Sequence, residues 1–261
     1  MPDRDTPWPP GTPCWVDCQV DDAHQAAAFY RALFGWEIQD GGAETGGYLM
    51  AMRNGRAAAG IGPKPPGMAM PSAWTTYLAT ESADRTAAAV TEHGGALVAP
   101  PFDVLDVGRM LVAVDPTGAA FGVWEARAHH GAGIYNEHGA YCWNELHTDG
   151  YRRAQEFYAG VFGWAYGEIG DGADVEYSTF AHTPDGPPLG GINRAAAPSF
   201  WLTWFQVDDT DAALRHAAEL GATVLKGPED SPFGRMGVLR GPQDEVFAVI
   251  DPTRTAGSPP G

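Results

Sequence analysis

Basic residues are scarce in this chain: 16 Lys and Arg stand against 33 Asp and Glu, a formal net charge of −17 over 261 residues. Such a field repels phosphate backbones and anionic bilayers, so neither nucleic acid nor a membrane surface is an expected partner. The plainest consequence of the acidity is solubility. No apolar run reaches the roughly 18–20 residues that a membrane-spanning helix needs. The first ten residues (Met-Pro-Asp-Arg-Asp-Thr-Pro-Trp-Pro-Pro) lack the apolar core of a secretory leader. Three cysteines, Cys14, Cys18 and Cys142, are odd in number and without ligand spacing, which points to reduced thiols and a cytoplasmic setting. There is no Gly-x-Gly-x-x-Gly after a strand, no P-loop, no Gly-x-Ser-x-Gly elbow and no cysteine-nucleophile motif. No nucleotide cofactor is therefore implied.

What is present is written twice. Phe29-Tyr30-Arg31-Ala32-Leu33-Phe34-Gly35-Trp36 returns as Phe157-Tyr158-Ala159-Gly160-Val161-Phe162-Gly163-Trp164, an offset of 128 (157 − 29). Trp15 and Trp143 keep that offset, and Gly108-Arg109-Met110 returns as Gly234-Arg235-Met236 at 126 (234 − 108). Such a repeat predicts two modules of roughly 120 residues. Hydrophobic residues at 44% are enough for two cores.

Within the first module the pattern also restarts. Trp15 to Val20 reads as a strand, and Asp21-Asp22 offers a cap for a helix that runs with apolar residues at helical spacing to Leu33 and stops at Gly35. Further strands follow, with a turn at Asn54-Gly55. Residues 62–71 form a crossover loop. A second strand, a helix over Ser82–Glu92 and a closing hairpin at Asp115-Pro116-Thr117-Gly118 complete the module. The expected layout is a flexible stretch over 1–10, module one over 11–126, a linker over 127–138, module two over 139–252, and a disordered tail over 253–261.

A strand, a helix ending Phe-Tyr-x-x-x-Phe-Gly-Trp, then three strands resembles the vicinal oxygen chelate superfamily, which includes glyoxalase I, extradiol dioxygenases and bleomycin-resistance proteins. The Asp115-Pro116-x-Gly118 turn before Phe121–Glu125 strengthens the resemblance. The tandem layout looks like a two-module actinobacterial subgroup often labelled hydroxylase or glyoxalase. The resemblance implies an α+β fold of two tandem glyoxalase-like modules, each a pair of βαβββ units curling into a cup. Two modules in one chain can pair internally, so a monomer or a homodimer is expected. It also implies positions for metal ligands: Trp15, Thr75 and Gly122 in module one, and Trp143, Leu202 and Ala248 in module two. None of these side chains binds a divalent cation. No cofactor is therefore expected; the alternative is Fe, Zn, Ni or Mn on displaced ligands such as Glu145, His147 and His182.

Strand alternation predicts what shares a face with the two tryptophans: Asp17 and Gln19 beside Trp15, and Glu145 and His147 beside Trp143. Arg109 and Arg235 are the natural carboxylate partners, since a guanidinium fork can hold a carboxylate through two bonds. Two readings stand. Asp17–Arg109 and Glu145–Arg235 are structural ion pairs, or Asp17, Glu145 and His147 are acids and bases with the arginines as anchors for substrate. Tyr177 and His182 lie on a later strand that could reach the second cup. Trp36 and Trp164 are expected in the core. Trp15, Trp74, Trp124, Trp143, Trp201 and Trp204 lie on strands, more than packing requires, and imply a pocket for a flat, largely apolar metabolite, with Met50, Met52, Met68 and Met70 as adaptable lining. His129, His130 and His138 in the linker are expected in solvent. The function that follows is binding of a small aromatic or polyketide-like metabolite by a metal-independent enzyme, through proton transfer or a hydroxylase-like role in secondary metabolism. The alternatives are a metal-dependent glyoxalase or dioxygenase and a non-catalytic sequestering protein.

Overall fold

A computed structural model describes residues 3–67, 70–169 and 176–257. The strand–helix–strand–strand–strand unit occurs four times. The first unit is β1 (Pro13–Val20), α1 (Ala23–Phe34), β2 (Glu37–Asp40), β3 (Leu49–Arg53) and β4 (Arg56–Pro63). The second is β5 (Ala73–Thr80), α2 (Ala83–Glu92), β6 (Ala96–Val104), β7 (Gly108–Val114) and β8 (Ala120–Ala126). The third is β9 (Tyr141–Thr148), α3 (Tyr151–Phe162), β10 (Ala165–Ile169), β11 (Tyr177–Ala181) and β12 (Gly190–Arg194). The fourth is β13 (Phe200–Gln206), α4 (Thr210–Glu219), β14 (Thr223–Ser231), β15 (Gly234–Arg240) and β16 (Val246–Asp251).

Two mixed sheets of eight described strands result, ordered β2-β3-β4-β1-β5-β8-β7-β6 and β10-β11-β12-β9-β13-β16-β15-β14. The parallel pairs β1–β4 and β5–β8 flank the antiparallel β1–β5 seam, and module two repeats the scheme. The helices start and stop where the sequence predicts. Asp22 accepts from the Gln25 amide (2.9 Å), Ser82 accepts from the Arg85 amide, and Gly35 closes α1 in the left-handed region at φ 68°.

The Phe-Gly-Trp repeat locks the two modules together. On α1, Phe29, Tyr30 and Phe34 pack against Phe205 and Phe247 of module two. On α3, Phe157, Tyr158 and Phe162 pack against Phe121 of module one. The polar ends are exchanged too. The Tyr30 hydroxyl donates to Glu245 (3.0 Å) and receives the Trp74 indole N–H (2.9 Å). Reciprocally, Tyr158 donates to Asp115 (3.1 Å) and receives the Trp201 indole (3.0 Å). Trp36 donates to the Gly139 carbonyl, and Trp164 to the Gly11 carbonyl. Each of these tyrosine and tryptophan rings is buried with its polar atom satisfied, so the modules share cores and pair within the chain.

The segments expected to be loose are tied down where they are described. Arg4 donates its amide to Gly133, Arg56 pairs with Asp3 and Asp5, and Trp8 packs on Tyr135 and Tyr141. In the tail, Arg254 pairs with Asp211 and Ala256 donates to Ser231; residues 258–261 lie outside the described residues. No described helix is long and apolar enough to cross a membrane.

Candidate active site in two cups

The helices cover one face of each sheet, and the opposite face forms the cup. In cup 1, β1 presents Trp15, Asp17 and Gln19 to that face. The next strands, β4 and β5, add Gly60 beside Asp17 and Tyr77 beside Trp15. Asp17 is 3% exposed, and one of its oxygens, Oδ2, accepts from Tyr77 (3.0 Å), Tyr48 (3.3 Å) and Gln19 (3.4 Å). Its other oxygen, Oδ1, is buried without a partner among the described residues. Burial dominates the three donors and pushes the acid up to about 7. The Trp15 indole donates to the Tyr48 hydroxyl (2.9 Å), closing a Trp–Tyr–Asp chain.

Cup 2 repeats that chain with one substitution that changes its chemistry. Trp143 donates to the Tyr177 hydroxyl (3.3 Å), and Tyr177 donates to Glu145 Oε2 (3.0 Å). In place of Gln19 stands His147, whose Nε2 lies 2.6 Å from Glu145 Oε1 outside hydrogen-bond geometry. The imidazole stacks on Phe200, with centroids 5.1 Å apart and planes at 13°. Trp204, paired across the strands with Trp143, completes the wall, and its indole N–H has no partner among the described residues.

Glycines on neighbouring strands make room for both tyrosines. A Cβ at Gly60 would lie 1.7 Å from the Tyr48 oxygen, and one at Gly191 would lie 2.2 Å from the Tyr177 oxygen. The sequence pattern did not single out Tyr48, Tyr77 or Phe200 as cup residues. The signal for Tyr48 was available, because it precedes Tyr177 by 129 residues (177 − 48), close to the repeat offset.

Several expected members are elsewhere. Arg109 shares its face with Leu111 and Ala113, on the helix side of β7. There it holds Asp84 of α2 and Asp103 of β6 (3.0 Å each), not Asp17. Arg235 likewise holds Asp211 (2.5 Å) and Asp230 (2.7 Å), not Glu145. Neither arginine reaches a cup, because both occupy the alternate residue to the cup-facing Met110 and Met236. Trp74 also faces the helix side, packing on Tyr30, Trp36 and Phe205. His182, one residue past β11, turns to Thr12 of module one (2.9 Å) and is exposed, away from Glu145. Trp124 does line cup 1. Met50 and Met52 are half-buried on β3, while Met68 lies outside the described residues.

The linker is not in solvent. It runs along cup 1, with Ala132 donating to Cys14 and Gly133 to Ala57. The His129 ring meets Trp15 edge-on at 4.6 Å and Trp124 at 5.5 Å, and Trp124 donates its indole N–H to the His129 carbonyl (2.8 Å). Burial pushes the His129 ring down to about 4. Trp15 and Trp124 are consequently 4% and 6% exposed, whereas Trp143 and Trp204 of cup 2 are half-buried. His130 contacts the Asp5 carbonyl, and His138 accepts from the Asp208 amide.

The metal positions implied by the resemblance fall on the cup faces, but their donors do not fit a cation. Tyr77 lies beside Gly122 and Asp17 beside Thr75; Trp204 lies beside Ala248 and Glu145 beside Leu202. At the six positions themselves Trp15, Thr75, Gly122, Trp143, Leu202 and Ala248 supply no carboxylate, imidazole or thiolate. Among the described residues no group of three or more His, Cys, Asp or Glu is arranged to hold an ion.

The profile of the Glyoxalase/Bleomycin resistance protein/Dioxygenase superfamily matches residues 14–123 and again 144–249. The chain belongs to this superfamily. It is 41% identical over 253 residues to CFP32 of Mycobacterium tuberculosis, which carries glyoxylase as a provisional name, spanning 93% of this chain and 95% of the relative. It is 36% identical over 266 residues to the anthracycline biosynthesis protein DnrV of Streptomyces peucetius, spanning 94% and 95%. Among solved structures, the Mn(II)-bound glyoxalase of Novosphingobium aromaticivorans superimposes with a TM-score of 0.63 at 16% identity, covering 95% of this chain and 86% of that one. The 2,3-dioxygenase LapB of Pseudomonas sp. KL28 gives 0.65 at 14% identity, covering 97% and 95%. At these identities the structural likenesses speak for the fold.

Proposed function

We propose that this superfamily member is a metal-independent enzyme that binds a small aromatic, polyketide-like metabolite in cup 2 and moves a proton with Glu145 and His147. The observation that carries the reading is the carboxylate–imidazole contact of 2.6 Å on a half-open face walled by Trp143, Trp204, Tyr177 and Phe200. The aromatic walls favour a flat ring. The anthracycline biosynthesis role in the name of DnrV supports a polycyclic polyketide as the ligand class.

Glu145 is the base in this reading. Tyr177 holds Oε2, so Oε1, the oxygen that faces His147, is the one that takes a proton from a carbon beside a ring carbonyl. His147 gives a proton to that carbonyl oxygen, so the substrate becomes its enol and the pair exchanges one proton for another. Burial of Glu145 at 7% exposure strengthens both interactions by excluding water.

The test is a tryptophan-fluorescence screen of aromatic polyketides, with product analysis on each hit. Glu145→Gln is expected to retain ligand affinity while turnover falls by about 10²- to 10⁴-fold, the usual contribution of a positioned acid–base group. Ligand recovered unchanged from the wild-type protein would replace enzyme with sequestering binder. Full turnover by the variant would remove Glu145 from the chemistry.

A further inference from the structure

Cup 1 holds two buried polar atoms without partners among the described residues, Asp17 Oδ1 and Nε2 of His129. They share one aromatic enclosure. Trp15 connects to Asp17 through Tyr48 on one side and meets the His129 ring on the other. Native interiors leave few such atoms unpaired, and each calls for a partner of matching chemistry.

The chemistry on each side can be read from the contacts. Oδ2 of Asp17 already accepts three donors, so a proton on this acid resides on Oδ1 and makes that atom a donor. The titratable groups around Asp17 are the Tyr48 and Tyr77 hydroxyls, His129 across Trp15, and Cys18 on the opposite face of β1. Burial holds both phenols and the thiol well above their ordinary values and keeps the imidazole neutral. No described arginine or lysine pairs with this carboxyl.

The His129 ring occupies the place of a flat aromatic group, edge-on to Trp15 and beside Trp124. The backbone holds the residue there: its amide donates to Val107 (3.0 Å) and its carbonyl accepts from Trp124. The ring's own Nε2 contributes no hydrogen bond.

We propose that cup 1 is a second small-molecule site, for a planar aromatic ligand whose carbonyl oxygen meets Asp17 Oδ1, and that His129 is a movable plug which such a ligand displaces. The linker that joins the modules then doubles as the gate of this cup. The inference rests on cup 1 alone and stands apart from the reading of cup 2.

A plug lowers apparent affinity by the fraction of time the cup is open, so removing it raises affinity by the same factor. The probes are chromone, a flat bicycle with a carbonyl, and naphthalene, of similar size without one, titrated by tryptophan fluorescence against the full chain. His129→Ala is expected to bind chromone about tenfold or more tightly than the wild type. In that background, Asp17→Asn, which keeps a donor, should retain the preference for chromone over naphthalene, and Asp17→Leu should erase it. Equal chromone affinity in the wild type and His129→Ala would overturn the proposal, leaving a closed cup whose two atoms share buried water. A chromone signal that ignores the cup 1 variants and moves with Trp143→Phe belongs to cup 2 and would overturn it as well.

Discussion

The two cups share one strand pattern and end in opposite states. Each has a tryptophan, a tyrosine and an acid in a chain, with glycine opposite the tyrosine. They diverge at three places. Gln19 becomes His147, which sets an imidazole against the acid. Tyr77 is replaced by Trp204, so Glu145 loses a donor that Asp17 has. Trp124 is answered by Ile250, and the described residues after β16 turn back to Ser231 and Asp211 instead of covering the cup. Cup 1 is consequently sealed around an acid and cup 2 is left half-open with an acid–base pair. A duplicated module diverges most cheaply through single cup-facing residues and through connectors, because the shared cores tolerate neither.

That contrast predicts unequal costs of truncation. Trp124→Ala empties a wall that the linker seals and should cost about 3–5 kcal/mol, the usual range for a buried aromatic. Trp143→Ala removes a half-exposed wall and should cost less than half of that. Urea midpoints compare the two; equal losses would mean that cup 2 is as closed as cup 1.

A smaller effect lies in the pH dependence, where the two buried groups of cup 1 pull in opposite directions. Asp17 is raised from 3.8 to about 7, so between those values the folded chain holds more protons than the unfolded one, and stability falls as pH rises. His129 is lowered from 6.5 to about 4, so in that window the unfolded chain holds more, and stability rises with pH. The slopes oppose each other from about 4 to 6.5, and Asp17 acts alone just above. Asp17→Asn should therefore gain on the wild type steadily from pH 4 to 7, and His129→Gln should gain as pH falls from 6.5 to 4. Unfolding midpoints across this range check both; a difference from the wild type that is flat with pH would place the group in water.

The smallest effect concerns Arg235. It ties α4 to β14 on the helix side, so Arg235→Met should leave ligand affinity in cup 2 unchanged while loosening that helix. A large loss of affinity with normal stability would bring the guanidinium back to the site.

Much of the fold was legible because its signals are local or repeated. Asp22, Ser82 and Gly35 mark helix ends by their own conformations, and the Phe-Gly-Trp repeat marks the modules. Alternation puts Asp17 and Gln19 on the face of Trp15 and Glu145 and His147 on the face of Trp143, and the structure has them there, since each set lies on one short strand, β1 or β9, without a bulge between its members. The same rule fails without a fixed origin. Arg109, Arg235 and Trp74 were assigned to cups from distant strands, where one residue of register decides the face. The linker defeated composition altogether. Its glycines and histidines read as solvated, and only the tertiary structure shows that Trp15 and Trp124 leave a slot of ring size for His129.

The central claim is that the cups work through their own side chains, because the positions where this superfamily places metal ligands hold Trp, Thr, Leu, Gly and Ala. The most direct measurement is elemental analysis of the untagged protein after Fe(II), Zn(II), Ni(II) and Mn(II) have each been offered and excess removed. The account predicts far less than one ion per chain for every metal. About one tightly held ion per chain, lost together with ligand binding when Glu145 or His147 is replaced, would contradict it.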